Sequence, residues 1–308
     1  MSEADNPCER VPGWLLAIGP ILVMVLVAVG LYVTAPFGNL ERMADASTLE
    51  IIYLLTIIGA IAGIVPVAIG MLWFPYIRAL DARFVHAFVA LGAGVLLFIA
   101  FEMGGELVTY GGELESASVA VTVGVVGVVG TFVLMYALSE WREGASASAE
   151  KSGLQIAYLV AFALGLHSVG EGLAIGVTLV QGQATLVLML VIGFVIHNIL
   201  EGLTIIAAIA RDAATPAFWH FAAVGLIAGG PVIFGGWLGS LGTSPLLAMA
   251  CYAVAVGAIV QAIVEMTDLV RFDSGSLLTT TNAATFVAGF LLMFILEDLI
   301  VEGWIVPA

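Results

Sequence analysis

Long apolar runs separated by short polar segments follow one another along this chain. A transmembrane helix needs about 20 consecutive apolar residues to cross a hydrocarbon core about 30 Å thick, and nine runs are long enough. They cover residues 13–36, 50–73, 84–108, 117–139, 153–179, 184–210, 216–241, 245–270 and 280–304. The pattern predicts an all-α membrane protein of about nine transmembrane helices that pack as a helical bundle.

The spacing of these runs divides the chain into three segments. The first segment, residues 1–12, is short and polar, and we expect it to lie in the cytoplasm. We expect residues 13–36 to form an extra N-terminal transmembrane helix and residues 50–304 to form an eight-helix bundle. The connectors leave no room for a second soluble domain. The N-terminal run is longer than the apolar region of a signal peptide, so we expect it to be retained as a helix.

Composition supports the membrane assignment. Of the 308 residues, 62% are hydrophobic and only 10% are charged, whereas soluble domains have about 25% charged residues. A water-soluble fold could not cover so much apolar surface, so the lipid bilayer is the expected surrounding.

The net charge of −15 argues against nucleic acid as a partner, because phosphate recognition requires clustered Lys and Arg residues. This chain has eight Lys and Arg residues in all.

The positions of the cations predict the orientation, because positively charged residues concentrate in the cytoplasmic loops of membrane proteins. If the N-terminus is cytoplasmic, only Arg42 falls outside. The cations that then lie on the cytoplasmic side are Arg10, Arg78, Arg83, Arg142, Lys151, Arg211 and Arg271. We therefore expect a multi-pass protein of the cell membrane (inner or plasma membrane), with a cytoplasmic N-terminus and an outside C-terminus.

One motif occurs twice, at a spacing of 30 residues. The fifth run contains His167-Ser-Val-Gly-Glu171-Gly-Leu and the sixth contains His197-Asn-Ile-Leu-Glu201-Gly-Leu. Residues i and i+4 lie on the same face of a helix, and the short connector between the two runs makes their helices antiparallel neighbours. Two imidazoles and two carboxylates are therefore expected to meet at one depth in the membrane.

These four side chains are expected to bind a metal ion. An unpaired charge at the middle of a transmembrane helix costs about 2.5–3.5 kcal/mol, and a divalent cation between the helices would offset this cost. Imidazole nitrogen and carboxylate oxygen together favour Zn²⁺ and similar ions (Fe, Mn, Co, Cd) over Mg²⁺ and Ca²⁺. Ser168 and Asn198, which follow the two histidines, are candidates for further oxygen ligands or for hydrogen bonds to the ligands.

Other polar residues extend the candidate site towards both ends of the bundle. In the eighth run Gln261 and Glu265 repeat the i, i+4 spacing and are further candidate ligands, and Asp268 lies at the expected cytoplasmic exit. Towards the outside, acidic residues form a candidate outer mouth that would attract cations. Its members are Glu102, Glu106, Glu297 and Asp298.

Both motif segments resemble the ZIP (Zrt/Irt-like) family of divalent metal transporters. The stretch His167-Ser-Val-Gly-Glu-Gly-Leu-Ala-Ile-Gly176 is similar to the signature helix of that family, and His197-Asn-Ile-Leu-Glu-Gly-Leu203 resembles the next helix of its prokaryotic members. The resemblance implies an eight-helix transporter bundle after an extra N-terminal helix, metal movement into the cytoplasm, and a central site for one or two metal ions. The residues that it places at or facing this site are His167, Ser168, Glu171, His197, Asn198 and Glu201, with Glu265 close to a carboxylate position of a later helix.

Two other functions are compatible with parts of the pattern. His167 and His197 could be the axial ligands of a haem in a membrane cytochrome, and a glutamate with a metal-bound water could serve an intramembrane metalloenzyme. The carboxylate one turn from each histidine argues against haem, and the sequence contains no His-Glu-x-x-His motif. We therefore expect a transporter and not an enzyme, with the metal as substrate and no organic cofactor. The preferred metal, proton coupling and the formation of a homodimer stay open.

Overall fold

The computed structural model describes residues 46–77, 81–146, 152–210, 215–274 and 279–301, together with residues 18, 19, 22, 23, 25 and 26. All the regular elements within the five continuous ranges are helices. They are α1 (Thr48–Gly59), a π-helical turn (Ala60–Ile64), α2 (Val65–Met71), α3 (Phe74–Ile77), α4 (Ala82–Gly112), α5 (Ala117–Ser146), α6 (Gly153–Val180), α7 (Ala184–Ile209), α8 (Phe218–Gly229), α9 (Pro231–Gly239), α10 (Pro245–Ser274) and α11 (Thr280–Val301). The predicted segment 1–12 and most of the predicted helix 13–36 lie outside the described residues.

Eight helices in the described part of the chain are long and apolar enough to cross a membrane. The helices α1 and α2 form one such span through the π-helical turn, α8 and α9 form another, and α4, α5, α6, α7, α10 and α11 are one each. The predicted all-α membrane bundle is confirmed, and the span boundaries agree within a few residues. The helix predicted to end at residue 139 is longer in the structure, because α5 continues to Ser146.

The helices pack as two groups. The first contains α1–α2, α6, α7 and α8–α9, the second contains α4, α5, α10 and α11, and contacts of α6 with α10 and of α4 with α7 join them. The two motif helices are the most buried, with 78% of the α6 span and 94% of the α7 span inside the bundle, whereas none of the α5 span is buried. The motif helices therefore lie at the centre, and apolar side chains of α5 face outwards, as lipid-facing residues do.

Local sequence determines how α6 and α7 meet. The α6 helix begins at a capping box in which Ser152 and Gln155 exchange hydrogen bonds, which satisfies amide groups that the first turn leaves free. The turn between α6 and α7 contains Gly182 with φ 75°, a left-handed conformation that favours glycine. Because this turn is short, α7 runs back along α6, as the connector length predicts.

A proline interrupts each of the spans α1–α2 and α8–α9. Pro66 lies in the first turn of α2, directly after the π-helical turn, and Pro231 begins α9. Proline is tolerated in the first turn of a helix because its missing N–H has no helical partner there. A Cβ added to Gly63 would overlap the backbone of Gly229, and the reverse is also true. The two interrupted spans therefore touch each other close to their breaks.

The glycine of each repeated motif packs against one of these interrupted spans. A Cβ at Gly172 would overlap the carbonyl oxygen of Val232 on α9, and a Cβ at Gly202 would overlap the carbonyl oxygen of Val67 on α2. Small residues at such positions let helix backbones approach closely in a membrane. Each motif helix therefore contacts the backbone of one interrupted span directly beside its metal-ligand candidate.

Candidate metal centre

The four motif side chains meet between α6 and α7. His167 and Glu171 come from α6, His197 and Glu201 come from α7, and one nitrogen or oxygen atom of each lies within 4.8 Å of the others. Each of the four residues is at most 2% exposed. The structure therefore brings together at one depth the donors that the repeated spacing predicts.

Glu201 occupies the middle of this cluster. Its Oε1 atom lies 2.7 Å from Nε2 of His167 and 2.8 Å from Nε2 of His197. Nε2 of His197 is also 3.4 Å from Oε1 of Glu171, and the centroids of the two imidazole rings are 6.1 Å apart. One carboxylate oxygen thus lies between two imidazole nitrogens, with the second carboxylate beside them.

Several buried polar atoms of the cluster lack a hydrogen-bond partner in the described part of the chain. They are Nδ1 of His167, Oε1 of Glu171, Nδ1 and Nε2 of His197, Oδ1 of Asn198 and Oε2 of Glu201. Buried polar groups are normally paired, and each exception requires an explanation. The Nε2 atom of His197 is instructive, because it approaches two carboxylates without hydrogen-bond geometry. A cation would satisfy such converging nitrogen and oxygen atoms.

The charge of the donor set fits a divalent transition metal. Two carboxylates and two neutral imidazoles carry a charge of −2, which a divalent cation balances, whereas two buried carboxylates alone would be strongly unfavourable in a low-dielectric interior. Nitrogen and oxygen donors in this combination suit zinc and its neighbours in the first transition series. The cluster of His167, Glu171, His197 and Glu201 can therefore bind a metal ion.

The two residues that follow the histidines have different roles. Asn198 is fully buried, and its Nδ2 donates hydrogen bonds to Oε2 of Glu171 at 3.1 Å and to the carbonyl oxygen of Ala62 at 2.8 Å. The hydroxyl of Ser168 donates to the carbonyl oxygen of Leu164, one turn earlier in the same helix, at 2.9 Å. Asn198 therefore forms a hydrogen bond to Glu171 of the cluster, whereas the Ser168 side chain is hydrogen-bonded within α6.

Gln261 and Glu265 lie beside the cluster and bond to each other. Nε2 of Gln261 donates to Oε2 of Glu265 at 3.0 Å, and the hydroxyl of Ser139 on α5 donates to Oε1 of Glu265 at 3.2 Å. The four-residue group that can hold a metal does not include them. Their role as direct ligands stays a prediction, and the structure gives them a different place, on the wall of a cavity.

This cavity connects the cluster with one end of the bundle. Its volume is about 800 Å³, and its lining includes His167 and Glu201 at the cluster and Asp268 and Arg271 near the end of α10. Gln261 and Glu265 lie between them along α10. Since a helix rises 1.5 Å per residue, the α10 part of the wall is about 15 Å long. Asp268 thus lies on the wall of a cavity that extends from the His/Glu cluster towards the end of the bundle that carries Arg271.

The candidate outer mouth lies towards the opposite ends of α4 and α11. Glu102 is partly buried and lies within electrostatic range of Glu106 and Glu297, and Asp298 is exposed. Oε2 of Glu106 accepts a hydrogen bond from Nε2 of Gln183 at 2.7 Å. Three of the predicted acids therefore do lie near one another, and one of them is bonded to the turn between α6 and α7.

Sequence reasoning missed the polar network that continues from this turn. The hydroxyl of Tyr252 on α10 donates to Oε1 of Gln183 at 3.0 Å and lies 3.0 Å from the hydroxyl of Thr178. Its ring stacks on Tyr110 of α4, with centroids 5.7 Å apart. The network joins the turn between the motif helices to both α4 and α10. Its members are far apart in the sequence, and no local spacing distinguishes them.

Replacing Tyr252 by phenylalanine tests the contribution of this network. The substitution keeps the ring stack and removes the hydroxyl, so we expect the free energy of unfolding to fall by about 1–3 kcal/mol, the usual effect of leaving a buried polar partner unpaired. Thermal unfolding in detergent measures it. The matched control is Tyr53→Phe, because Tyr53 is 70% exposed. Equal stability of the two variants would show that the Tyr252 hydroxyl contributes nothing.

Comparison with known proteins gives no family for this chain. No protein-family model matches it, and a search of curated proteins finds no match. The observations that bear on function are therefore the membrane-type helical bundle, the buried His/Glu cluster and the cavity that reaches it.

Proposed function

We propose that this protein is a ZIP-like transporter that carries a divalent transition-metal ion, zinc or a chemically similar one, across the cell membrane into the cytoplasm. The observation that carries the proposal is a buried donor cluster that forms the wall of a cavity inside a bundle of apolar helices. A metal that only stabilised the fold would be enclosed on all sides. Here His167 and Glu201, two of the four residues of the cluster, also line the cavity.

The position of the cavity supports a direction of movement. Its lining comes from the parts of α6, α7 and α10 that lead to the end carrying Arg271, which is the cytoplasmic end if the positively charged loops lie inside. On the other side of the cluster, Ile99, Phe194 and Met293 are fully or almost fully buried. In the described part of the chain, the cluster therefore borders open space on the side that leads to Arg271 and packed apolar side chains on the side that leads to the outer acids.

The residues along the cavity suggest how the ion leaves. Glu265 and Asp268 follow the cluster along α10, and each offers carboxylate oxygen to a cation that has lost ligands at the His/Glu centre. Weak successive sites favour movement, because an ion held too tightly at any of them would not leave. The outer acids Glu102, Glu106 and Glu297 would raise the local cation concentration on the entry side.

Geometry and sequence argue against the two rival functions. A haem between His167 and His197 would need the space that Oε1 of Glu201 occupies, 2.7 and 2.8 Å from their Nε2 atoms. For an intramembrane metalloenzyme, the sequence lacks the His-Glu-x-x-His motif of zinc proteases. A strong Soret absorption of the purified protein would reverse the first argument.

Uptake into proteoliposomes tests the proposal. The intact protein is reconstituted, and initial uptake of Zn²⁺, Co²⁺, Mn²⁺, Fe²⁺ and Cd²⁺ is followed with a metal-sensitive dye inside the vesicles, with Mg²⁺ and Ca²⁺ for comparison. We expect saturable uptake of at least one of the five, and no Mg²⁺ or Ca²⁺ uptake above that of protein-free vesicles, because imidazole ligands disfavour those two ions. Vesicles that take up none of the five ions would contradict the transport function.

A further inference from the structure

The two helix groups of the bundle are joined differently on the two sides of the metal centre. Towards Arg271, the cavity of about 800 Å³ is lined by α6 and α7 of the first group and by α4, α5 and α10 of the second, so it lies between the groups. The opposite end, which carries the turn between α6 and α7, is called the outer end below. There the groups are connected by hydrogen bonds. An ion that enters from the outer end must therefore pass where the groups are held together.

Gln183, in the turn between α6 and α7, bonds to two helices of the second group. Its Nε2 donates to Oε2 of Glu106 on α4 at 2.7 Å, and its Oε1 accepts from the hydroxyl of Tyr252 on α10 at 3.0 Å. The Tyr252 hydroxyl also lies 3.0 Å from the hydroxyl of Thr178 on α6. One amide side chain therefore uses both its donor and its acceptor to connect the first group with the second.

A layer of apolar side chains lies between these hydrogen bonds and the cluster. One helical turn from the cluster, a Cβ added to Gly193 of α7 would overlap the ends of the Ile99 side chain on α4 and the Met293 side chain on α11, both fully buried. Inside the first group the corresponding contacts involve backbone atoms, as between Gly172 and Val232. Because side-chain ends can separate and repack more easily than backbones in contact, this layer can open if the groups move apart.

We propose that the hydrogen bonds of Gln183 to Glu106 and Tyr252 form a latch that keeps the outer end closed, and that the metal pathway opens outwards only when this latch breaks. The inference rests on the proposed transport function. The latch joins the groups at the outer end while the cavity separates them at the other, so the structure is the form open towards Arg271. A bond that exists only in the closed form shifts the equilibrium towards that form, and its removal favours outward opening.

Substitution of Met293 by cysteine provides a reporter of outward opening. Met293 is fully buried, is not among the residues that line the cavity, and lies one turn from Glu297 of the outer mouth on the same face of α11. The reporter is Met293→Cys in a chain whose native cysteines are replaced (Cys8→Ser, Cys251→Ala). The experiment measures the rate at which a small, positively charged methanethiosulfonate modifies the new thiol in the purified full chain in detergent, without metal.

Gln183→Glu in the reporter chain is expected to break the latch. At mildly alkaline pH both carboxylates are ionised, so repulsion from Glu106 replaces a hydrogen bond. We expect the thiol to react about tenfold faster, because loss of a hydrogen bond to a charged group changes an equilibrium by about this factor or more. The double substitution Glu106→Gln, Gln183→Glu exchanges the two groups and again places an amide donor against a carboxylate, so the rate should return to that of the reporter alone.

Tyr252→Phe weakens the latch without adding a charge, and it carries the test if Gln183→Glu does not fold. It removes the hydroxyl contacts with Gln183 and Thr178 and leaves the bond between Gln183 and Glu106. We expect a smaller increase in the reaction rate, about threefold, as for the loss of a neutral hydrogen bond.

Gln181→Ala is the matched control for the turn. Gln181 lies two residues from Gln183, but its Nε2 donates to the carbonyl oxygen of Gly242, which follows α9 and packs against Val177 of α6. This bond does not connect α4 or α10 to the turn, so its loss should leave the rate unchanged. A second reporter, Val232→Cys, lies inside the first group and is 1% exposed. Its rate should be the same in all these variants, because it reports unfolding and not outward opening.

Three results would overturn the latch. They are an unchanged rate at the Met293→Cys reporter in Gln183→Glu or Tyr252→Phe, failure of the double substitution to restore the rate, and a parallel increase at the Val232→Cys reporter, which would show that the network only stabilises the fold. Failure of the transport function is distinguishable from these results. A chain that moves no metal, but whose reporter rate rises in Gln183→Glu and recovers in the double variant, refutes the transporter and retains the latch.

Discussion

Replacing Glu201 by glutamine is expected to abolish metal uptake. Oε1 of Glu201 lies within 2.8 Å of both histidine Nε2 atoms, so this carboxylate contacts both imidazoles and links the two motif helices. The substitution keeps the shape and removes the charge that a divalent cation needs in a buried site. We expect the affinity for Co²⁺ or Zn²⁺ to fall by more than the roughly 100-fold that accompanies loss of a hydrogen-bonding partner of a ligand. Binding titration and proteoliposome uptake measure the two effects.

The matched control for this variant is Glu50→Gln. Glu50 is an exposed acid in the capping box of α1, where its carboxylate accepts from the backbone N–H and hydroxyl of Ser47. Glutamine serves equally well at this position of a capping box, so uptake should equal that of the wild type. The unfolding temperature of Glu201→Gln without metal should stay close to the wild-type value. Uptake by Glu201→Gln at the wild-type rate would exclude the His/Glu cluster as the transport site.

Local periodicity was sufficient to predict the buried His/Glu cluster that can hold a metal ion. The two polar residues of each motif are four residues apart on one helix, and the turn that joins the helices is short, so helix geometry alone places His167, Glu171, His197 and Glu201 near one another. Hydropathy likewise predicted the eight described spans, because the hydrocarbon thickness determines how long an apolar helix must be. These features depend on residues close together in the sequence.

Features that depend on the rotation of one helix relative to another could not be predicted in the same way. The spacing of Gln261 and Glu265 correctly indicates one face of α10, but the spacing contains no information on which neighbour that face meets. In the structure, Gln261 donates a hydrogen bond to Glu265, and Glu265 also accepts one from Ser139, which is 126 residues away in the sequence. The contact between Asn198 and the carbonyl of Ala62 spans 136 residues, and no local spacing predicts it.

The glycines illustrate the same limit. Their number in the spans indicates close helix packing, but the partners emerge only from the structure, where Gly172 meets α9 and Gly202 meets α2. The motif alone does not reveal why a glycine follows each glutamate. This glycine brings the backbone of an interrupted helix to the position beside the ligand.

Replacing Gly202 by alanine is expected to be strongly destabilising for this reason. The added Cβ would overlap the carbonyl oxygen of Val67 and would lie 3.0 Å from Cα of Gly70. These are backbone atoms, so no side-chain rotation can relieve the contact and the α2 and α7 helices must separate. We expect the free energy of unfolding to fall by about 3 kcal/mol, the upper part of the usual range for overpacking, as measured by unfolding in detergent.

Gly104→Ala is the matched control, because a Cβ at Gly104 meets nothing within 4 Å. An alanine in a helix is favoured over glycine by about 1 kcal/mol, so this control should be neutral or slightly stabilising, and the two substitutions should act in opposite directions. Gly202→Ala should also weaken Co²⁺ binding, because Gly202 directly follows Glu201 and separating α2 from α7 would displace this carboxylate. If Gly202→Ala were as stable as Gly104→Ala, the contact between α2 and α7 would be looser than the backbone distances indicate.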